Sequence, residues 1–117
     1  GAYNVELENK KWVLLSMMDG ANTMRIGDST IHIQFNFAEN KLTGHGVCNN
    51  MKGKVKAEGK NISFSEISFT KMKCVDQGNI MEKIVQNLLE QTDTYQRKGC
   101  RLILFSKKGS NMVFDGR

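Results

Sequence analysis

The fold of this chain is decided by the stretch Leu42-Thr-Gly-His-Gly-Val-Cys-Asn-Asn50 and by its partner, Thr70-Lys-Met-Lys-Cys74. Successive side chains of a strand alternate between its two faces, so Gly44, Gly46 and Cys48 share one face. Two glycines in succession on one face indicate a sharp bend, a bulge or the close approach of another backbone. We therefore predict a curved, all-β domain that is held together near these cysteines.

Short segments in which apolar and polar residues alternate surround these two stretches and predict antiparallel strands. The clearest covers residues 30–37, where His32 lies on the polar face and is most simply a solvated side chain. Within residues 62–69, apolar residues occupy even-numbered positions up to Phe64 and odd-numbered positions from Ile67 onward. This change predicts a bulge or bend between Ser65 and Ser68. Further strands are expected at residues 11–18, 49–57, 62–69, 94–98, 101–106 and 111–115.

One helix is expected to interrupt the strands. Its apolar residues recur at three- and four-residue spacing and must pack against the sheet: Ile80, Met81, Ile84, Val85, Leu88 and Leu89. Asp76 is the expected N-cap. The pattern gives about eight strands and one helix. The polar residues 1–10 predict an N-terminal tether, residues 11–117 form the folded domain, and residues 19–27 are expected to be a loop within it.

The order of these residues resembles the META-domain (HslJ-like) family of bacterial envelope proteins. The most specific part of the resemblance is Gly44, Cys48 and Asn49, followed by Thr70 and Cys74. Weaker matches extend it over most of the chain: Trp12, Leu14, Gly53, Glu82, Leu89, Tyr95, Gly99, Leu102, Leu104 and Phe114. Val47 and Val85 depart from the family pattern, which often has glycine at the first position and an aromatic residue at the second.

The resemblance implies a mainly β fold, namely a small antiparallel, partly open β-barrel with one α-helix packed across it. It also implies a location in the periplasm or, as a lipoprotein, at the outer membrane, with a loose link to stress tolerance. The family has no established catalytic residues, so the five motif residues carry over as architecture. We expect the barrel to be filled by side chains: Trp12, Phe35, Phe37, Phe64, Met72 and Leu104.

The three cysteines leave one unpaired if a disulfide forms. We expect the bond between Cys48 and Cys74, because each closes one motif stretch and each falls on the apolar face of its predicted strand. Their Cα atoms should then lie about 4.4–6.8 Å apart. Cys100, at a turn, is the expected free thiol. The alternative is that Cys48 and Cys74 are buried free thiols that pack as small hydrophobic side chains.

The net charge of +5 is concentrated in the second part of the chain. Residues 1–50 hold four Lys/Arg and five Asp/Glu, whereas residues 51–117 hold thirteen and seven. Part of the excess alternates with apolar or small residues and forms a candidate interaction patch of five side chains: Lys52, Lys54, Lys56, Lys71 and Lys73. The plainer interpretation is that these lysines are solvated strand faces. Nucleic acid is not an expected partner, because no aromatic residues interleave with the lysines.

No group of residues in the sequence predicts catalysis, a cofactor or a metal. A P-loop, a Rossmann fingerprint and a nucleophile elbow are all missing. His45 lacks metal-ligand spacing to any cysteine, and on a regular strand it points away from Cys48. We therefore expect a protein that is not an enzyme. The apolar runs are too short to predict a transmembrane segment.

Two functions remain open. The first is a non-catalytic module of the cell envelope, monomeric and with a lipid anchor upstream, that binds an envelope protein or an anionic surface. The second is a lipocalin-like carrier that holds a small apolar ligand inside the barrel. The two differ in what fills the interior, because a barrel of this size has room for side chains or for one small ligand.

Overall fold

The computed structural model describes residues 7–26 and 30–117. Within these residues, nine strands and one long helix follow one another: β1 (Trp12–Asp19), β2 (Asn22–Arg25), β3 (His32–Asn36), β4 (Lys41–His45), β5 (Asn50–Glu58), β6 (Asn61–Phe69), α1 (Gly78–Gln91), β7 (Thr94–Lys98), β8 (Arg101–Phe105) and β9 (Asn111–Gly116). The predicted mainly β fold with one helix is confirmed. The strand count is one higher than expected, because β2 lies in the predicted loop of residues 19–27.

The sheet is antiparallel and curls into a ring that does not fully close. Its strand order is β2-β1-β3-β4-β5-β6-β7-β8-β9, and β1 also pairs with β9. Strand β2 lies outside the ring, since it pairs with the second half of β1. The weak joint lies between β6 and β7, whose register contains the single pair Asn61 and Thr94. Helix α1 packs against β6 beside this gap.

The interior of the ring is filled by apolar side chains. The largest of those that are completely or almost completely buried are Trp12, Phe114, Leu7, Leu14, Met17, Ile33, Leu42, Ile62, Leu89, Leu102, Leu104 and Met112. The inward positions of each strand alternate with exposed ones, as in β5, where Met51 and Val55 are buried between exposed lysines. Of the six side chains expected to fill the barrel, Met72 does not do so, since 63% of its surface is exposed.

The N-terminal tether predicted for residues 1–10 is wrong for its second part. Leu7 is completely buried, and its carbonyl accepts a hydrogen bond of 2.8 Å from the indole Nε1 of Trp12. The carboxylate of Glu8 accepts a hydrogen bond from the backbone N–H of Phe37. Without its hydrogen bond to Leu7, the buried indole of Trp12 would have an unpaired N–H. The two bonds therefore hold residues 7 and 8 against the sheet. Residues 1–6 lie outside the described part of the chain.

The predicted irregularity of β6 is confirmed. Glu66 has a positive φ of 52°, and the register between β5 and β6 shifts between Lys52 and Lys54. Such a bulge bends the strand and increases its twist. Phe64 before the bulge and Ile67 after it can therefore both be buried, although their sequence parity differs.

Helix α1 starts later than predicted. Its N-cap is Gln77, not Asp76, and both residues have positive φ, at 60° and 51°. The helix buries Val85, Leu88 and Leu89 as expected. Ile80, however, which the periodicity placed on the buried stripe, is 58% exposed. No helix among residues 7–26 and 30–117 has the length and apolar content needed to cross a membrane.

Candidate functional site

The two motif stretches do not continue as strands but meet as loops at one end of the ring. Strand β4 ends at His45, and β6 ends at Phe69, so residues 46–49 and 70–74 are both irregular. The strand prediction was therefore wrong for the second half of the first stretch and for the whole of the second. Cys48 and Cys74 form a disulfide, and their Cα atoms lie 5.7 Å apart, inside the expected range. Among the described residues the free cysteine is Cys100, which is exposed.

The centre of this loop pair is the carboxylate of Glu82, which reaches it from helix α1. Glu82 is only 3% exposed. Its Oε2 atom accepts hydrogen bonds from three successive backbone N–H groups, those of Val47, Cys48 and Asn49, at 3.0, 3.1 and 2.9 Å. Its Oε1 atom accepts a bond of 2.8 Å from the side-chain Nδ2 of Asn49. A turn that directs three N–H groups at one point suits an anion, and here the protein supplies its own.

Asn49, only 1% exposed, connects this carboxylate to the second loop. Its Oδ1 atom accepts hydrogen bonds from Thr70 Oγ1 at 2.9 Å and from the backbone N–H of Met72 at 2.7 Å. Its Nδ2 atom donates to the Met72 carbonyl at 2.9 Å as well as to Glu82. The amide thus makes the pair of bonds that a neighbouring strand would make with Met72. This explains how residues 70–74 are fixed without belonging to the sheet.

The start of helix α1 holds the other side of the second loop. Asn79 accepts a hydrogen bond of 2.7 Å from the backbone N–H of Cys74 and donates one of 2.9 Å to the Met72 carbonyl. Two glycines allow the close packing. A Cβ atom on Gly46 would lie 2.6 Å from Glu82 Oε2, and one on Gly78 would lie 2.6 Å from the Cβ atom of Cys74. The glycines are therefore required by the approach of the loops.

The electrostatics of the site keep Glu82 ionised. Burial alone would raise the pKa of its carboxyl group, because the charged form loses contact with water. The hydrogen bonds from the side chain and backbone of Asn49, and from the backbone of Cys48 and Val47, outweigh this effect and hold the pKa of Glu82 below its ordinary value. A carboxylate with a lowered pKa whose two oxygens are both engaged is a poor general acid or base. Its arrangement is that of a structural anion.

The same atoms include the one group among the described residues whose ligand types and spacing could suit a metal ion. The sulfur atoms of Cys48 and Cys74 and a carboxylate oxygen of Glu82 lie within 4.8 Å of one another. The donor set does not fit an ion, because the two sulfurs are bonded to each other and metal ligation requires thiolates. The carboxylate oxygens, moreover, already accept four N–H hydrogen bonds.

A sequence model of the META domain matches residues 5–117 of this chain. The chain belongs to the META-domain family. The resemblance that the motif residues suggested is thereby confirmed. No curated protein matches this META domain significantly.

Solved structures share the fold of this META domain at low sequence identity. The NMR structure of a protein from Burkholderia xenovorans superposes with a TM-score of 0.79 at 20% identity, covering 99% of this chain and 87% of the other. The crystal structure of a DUF4847 family protein from Bacteroides vulgatus superposes with a TM-score of 0.67 at 17% identity, covering 97% of this chain and 96% of the other. These similarities establish the ring-like fold and no specific activity.

The five lysines of the candidate patch are all exposed, but they do not all lie on strands. Lys52, Lys54 and Lys56 occupy the outer face of β5, whereas Lys71 and Lys73 belong to the loop of residues 70–74. Lys54 is engaged in a surface ion pair of 2.9 Å with Glu66. A surface groove of about 350 Å³ is lined by both Lys52 and Lys71, so the two parts of the patch adjoin each other there.

A second groove, which shares Lys71 with the first, includes a lysine that the sequence analysis did not single out. This groove, of about 460 Å³, is lined by Lys71 and Lys73 and by Lys83 of helix α1, and we call it the basic groove. Glu82 also lines this groove, but its carboxylate is occupied by the hydrogen bonds from the backbone N–H groups of residues 47–49. Three cationic side chains around one depression favour an anionic ligand.

Exposed apolar side chains are concentrated in the part of the sequence that lines the basic groove, and one of them, Met72, lines the groove itself. Of the four large hydrophobic residues that are exposed in the described chain, three lie within residues 72–80: Met72 at 63%, Val75 at 79% and Ile80 at 58%. The sequence pattern predicted the opposite for Met72 and Ile80, because each alternates or recurs in phase with buried residues. Exposed apolar side chains that lie together mark interaction sites more often than single ones do, so this segment is a candidate interaction site.

The two histidines lie outside this site. His32 and His45 face each other across β3 and β4, and their rings stack with centroids 6.2 Å apart. His32 is half-buried, which differs from the solvated side chain that we expected. Burial lowers the pKa of His32. The Thr30 carbonyl opposes this effect, and the charge of Lys11 and the neighbouring His45 add to it.

Removal of the disulfide is expected to destabilise the META domain by about 3 kcal/mol, because the bond closes a loop with a sequence separation of 26 residues. The free energy of unfolding of the double variant Cys48→Ala, Cys74→Ala, measured in urea, tests this value. The control is Cys100→Ala, which changes an exposed thiol. Equal stability of the double variant and the control would show that the hydrogen bonds alone hold the loops.

Proposed function

We propose that this META domain is a non-catalytic interaction module of the bacterial cell envelope whose working surface is the loop of residues 70–74 with the adjoining lysines. One observation carries the proposal. The loop is fixed by the disulfide and by seven hydrogen bonds of 3.0 Å or less, yet its side chains at Lys71, Met72 and Lys73 are exposed. A rigid backbone that presents exposed side chains binds with a small entropic cost.

Location in the envelope is supported by the disulfide, since such bonds persist in oxidising compartments such as the bacterial periplasm. The role in stress tolerance that the family resemblance implies is proposed on that resemblance alone. A non-catalytic role is supported by the state of Glu82, the buried ionisable group at the centre of the site, whose oxygens are occupied by structural hydrogen bonds.

The carrier alternative has less support. The ring encloses large, fully buried side chains such as Trp12 and Phe114, which occupy the space that a ligand would need. Three surface grooves of the described chain, the two above and a further one of about 620 Å³ that includes Lys56, Asp93 and Lys107, are lined mostly by polar and charged residues. Binding of an apolar ligand in the interior would require this core to open, so we do not propose it.

The interaction module predicts salt-sensitive capture of a partner. The triple variant Lys52→Glu, Lys71→Glu, Lys73→Glu should retain less of any acidic component of an envelope extract than the unchanged domain, because the Debye length is about 8 Å at physiological ionic strength and charge attraction acts over that range. Retention by the unchanged domain should fall when the salt concentration is raised.

The matched control reverses three exposed lysines outside the patch, Lys60, Lys98 and Lys108. Both variants carry the same net charge, so a difference between them reports the position of the charge rather than its amount. Thermal unfolding of the two variants checks that neither is misfolded. If both variants and the unchanged domain capture the same components at low and high salt, the patch is not the working surface.

A further inference from the structure

We propose that the surface bound by this META domain is an anionic lipid layer. The segment of residues 71–83 would dock on it with the apolar side chains of Met72, Val75 and Ile80 among the lipid headgroups and the lysines of the basic groove on the lipid phosphates. This inference rests on the proposed function and names the chemistry of the partner. It requires no segment of the chain outside the described residues.

The first argument is the combination of apolar and cationic side chains in one short segment. Three exposed apolar residues lie in the same segment as Lys71, Lys73 and Lys83, all of which are exposed. Side chains of this type bind membrane interfaces by inserting their apolar part at the headgroup level while the cations attract anionic lipids. A purely solvated loop has no need of three large apolar side chains.

The second argument is the local balance of charge. Residues 71–83 contain three lysines and two acidic residues, Asp76 and Glu82. The Glu82 carboxylate is buried and accepts hydrogen bonds from the backbone N–H groups of residues 47–49. Its charge is therefore not presented to a lipid phosphate at the surface. Asp76 alone remains as an exposed acidic group in this segment. Lys52, which lines the groove of about 350 Å³ together with Lys71, adds a fourth cation.

The third argument separates a lipid surface from an acidic protein. Protein–protein interfaces are enriched in aromatic residues, methionine and arginine and are depleted in lysine. Residues 70–83 contain two methionines but no aromatic residue and no arginine, and they contain three lysines. Lysine next to aliphatic side chains is, in contrast, the composition that anionic membrane surfaces attract. The residue types of the segment therefore favour lipid.

The test is co-sedimentation of the purified domain with vesicles of phosphatidylcholine, either alone or mixed with phosphatidylglycerol. Binding is expected to the mixed vesicles and to be at least tenfold weaker to phosphatidylcholine alone. The triple variant Lys71→Glu, Lys73→Glu, Lys83→Glu should lower the partition coefficient on mixed vesicles by more than about 100-fold, since each lysine near an anionic surface contributes a factor of about five. The control variant Lys60→Glu, Lys98→Glu, Lys108→Glu should lose much less.

A second variant tests the apolar contact without changing the charge. Met72→Ser, Val75→Ser, Ile80→Ser should weaken binding to the mixed vesicles, and because these side chains are exposed the domain should keep its thermal unfolding midpoint. A Met72→Trp reporter should show a blue-shifted emission on mixed vesicles and quenching by brominated lipid. Equal binding to both vesicle types, unchanged binding of the lysine variant, or an unshifted reporter would each overturn the proposal.

The result separates this inference from the proposed function. If the domain binds neither vesicle type but captures an acidic protein from a lipid-free envelope extract in a manner that depends on the patch lysines, the interaction module stands and the lipid partner is wrong. Binding of free phosphatidylglycerol headgroup, glycerol phosphate, with the same affinity per phosphate as the vesicles would also contradict docking on a surface.

Discussion

Glu82→Ala should lower the free energy of unfolding of the META domain by about 3–5 kcal/mol, at the upper end of single-substitution effects. The substitution removes the acceptor of the backbone N–H groups of Val47, Cys48 and Asn49 and of the Asn49 side chain. Asn49 is buried, so its donors cannot turn to water without opening the loop. Urea unfolding at neutral pH, followed by circular dichroism, measures the loss.

Glu82→Gln separates the charge of this side chain from its shape. The amide oxygen can still accept the backbone hydrogen bonds, but the amide nitrogen then faces Asn49 Nδ2, which is also a donor. We expect a loss of about 2–3 kcal/mol, since hydrogen bonds to charged groups are the stronger ones. Glu90→Gln, on the exposed face of the same helix, is the matched control and should change stability by less than about 0.5 kcal/mol. Equal losses in the two variants would show that the carboxylate is not structural.

The same substitution should change the acid sensitivity of the domain. The pKa of Glu82 is lowered from an ordinary value of 4.5, so the folded state binds the proton more weakly than the unfolded state does. The stabilisation is therefore fully present above about pH 4.5 and is lost as the pH falls through the lower pKa of the folded state. Glu82→Gln should flatten this acid limb of the stability curve, and Glu90→Gln should leave it unchanged.

The strands could be predicted because burial on one face of a sheet imposes a period of two on the sequence. The alternation of Ile33 and Phe35 with polar residues gave β3, and the parity change before Ile67 gave the bulge at Glu66. The disulfide partners could be predicted because each cysteine closes one of the two motif stretches. These features depend on residues that are close in the chain.

The loops could not be predicted, because an alternating pattern arises there for another reason. Lys71-Met-Lys73 reads as a strand, but Met72 is outside the core and its backbone groups bond to the side chain of Asn49, 23 residues earlier. Glu82, whose side chain organises the loops, lies 33 residues after Asn49 in the sequence. Such contacts leave no periodic signal.

Glu82 nevertheless had a signal that the sequence analysis did not use. On a helix, residues three and four apart share a face, so Glu82 lies in line with Gly78, Val85 and Leu89. An acidic residue in the middle of a buried stripe requires a partner for its charge. In this fold the partners are backbone N–H groups, which no pattern of side chains reveals. The same reasoning fails for Ile80, which lies eight residues before the buried Leu88 on the same helix face but is 58% exposed.

The buried stripe of helix α1 gives the second large effect. Leu88 is 3% exposed and belongs to the core beneath helix α1, which packs against β6. Truncation to alanine removes its buried methyl groups and leaves a cavity in this core. Leu88→Ala should therefore lower the free energy of unfolding by about 2–5 kcal/mol.

The control for this prediction is Asn87→Ala, one position earlier and exposed, which should change stability by less than about 0.5 kcal/mol, because it changes neither packing nor buried polar groups. Urea unfolding of both variants gives the two free energies. Amide exchange adds a spatial readout, since a helix that loosens in Leu88→Ala should leave the N–H of Ile62, which donates to the Asp93 carbonyl at the joint, less protected. A loss below about 0.5 kcal/mol in Leu88→Ala would mean that this face of the helix is not packed into the core.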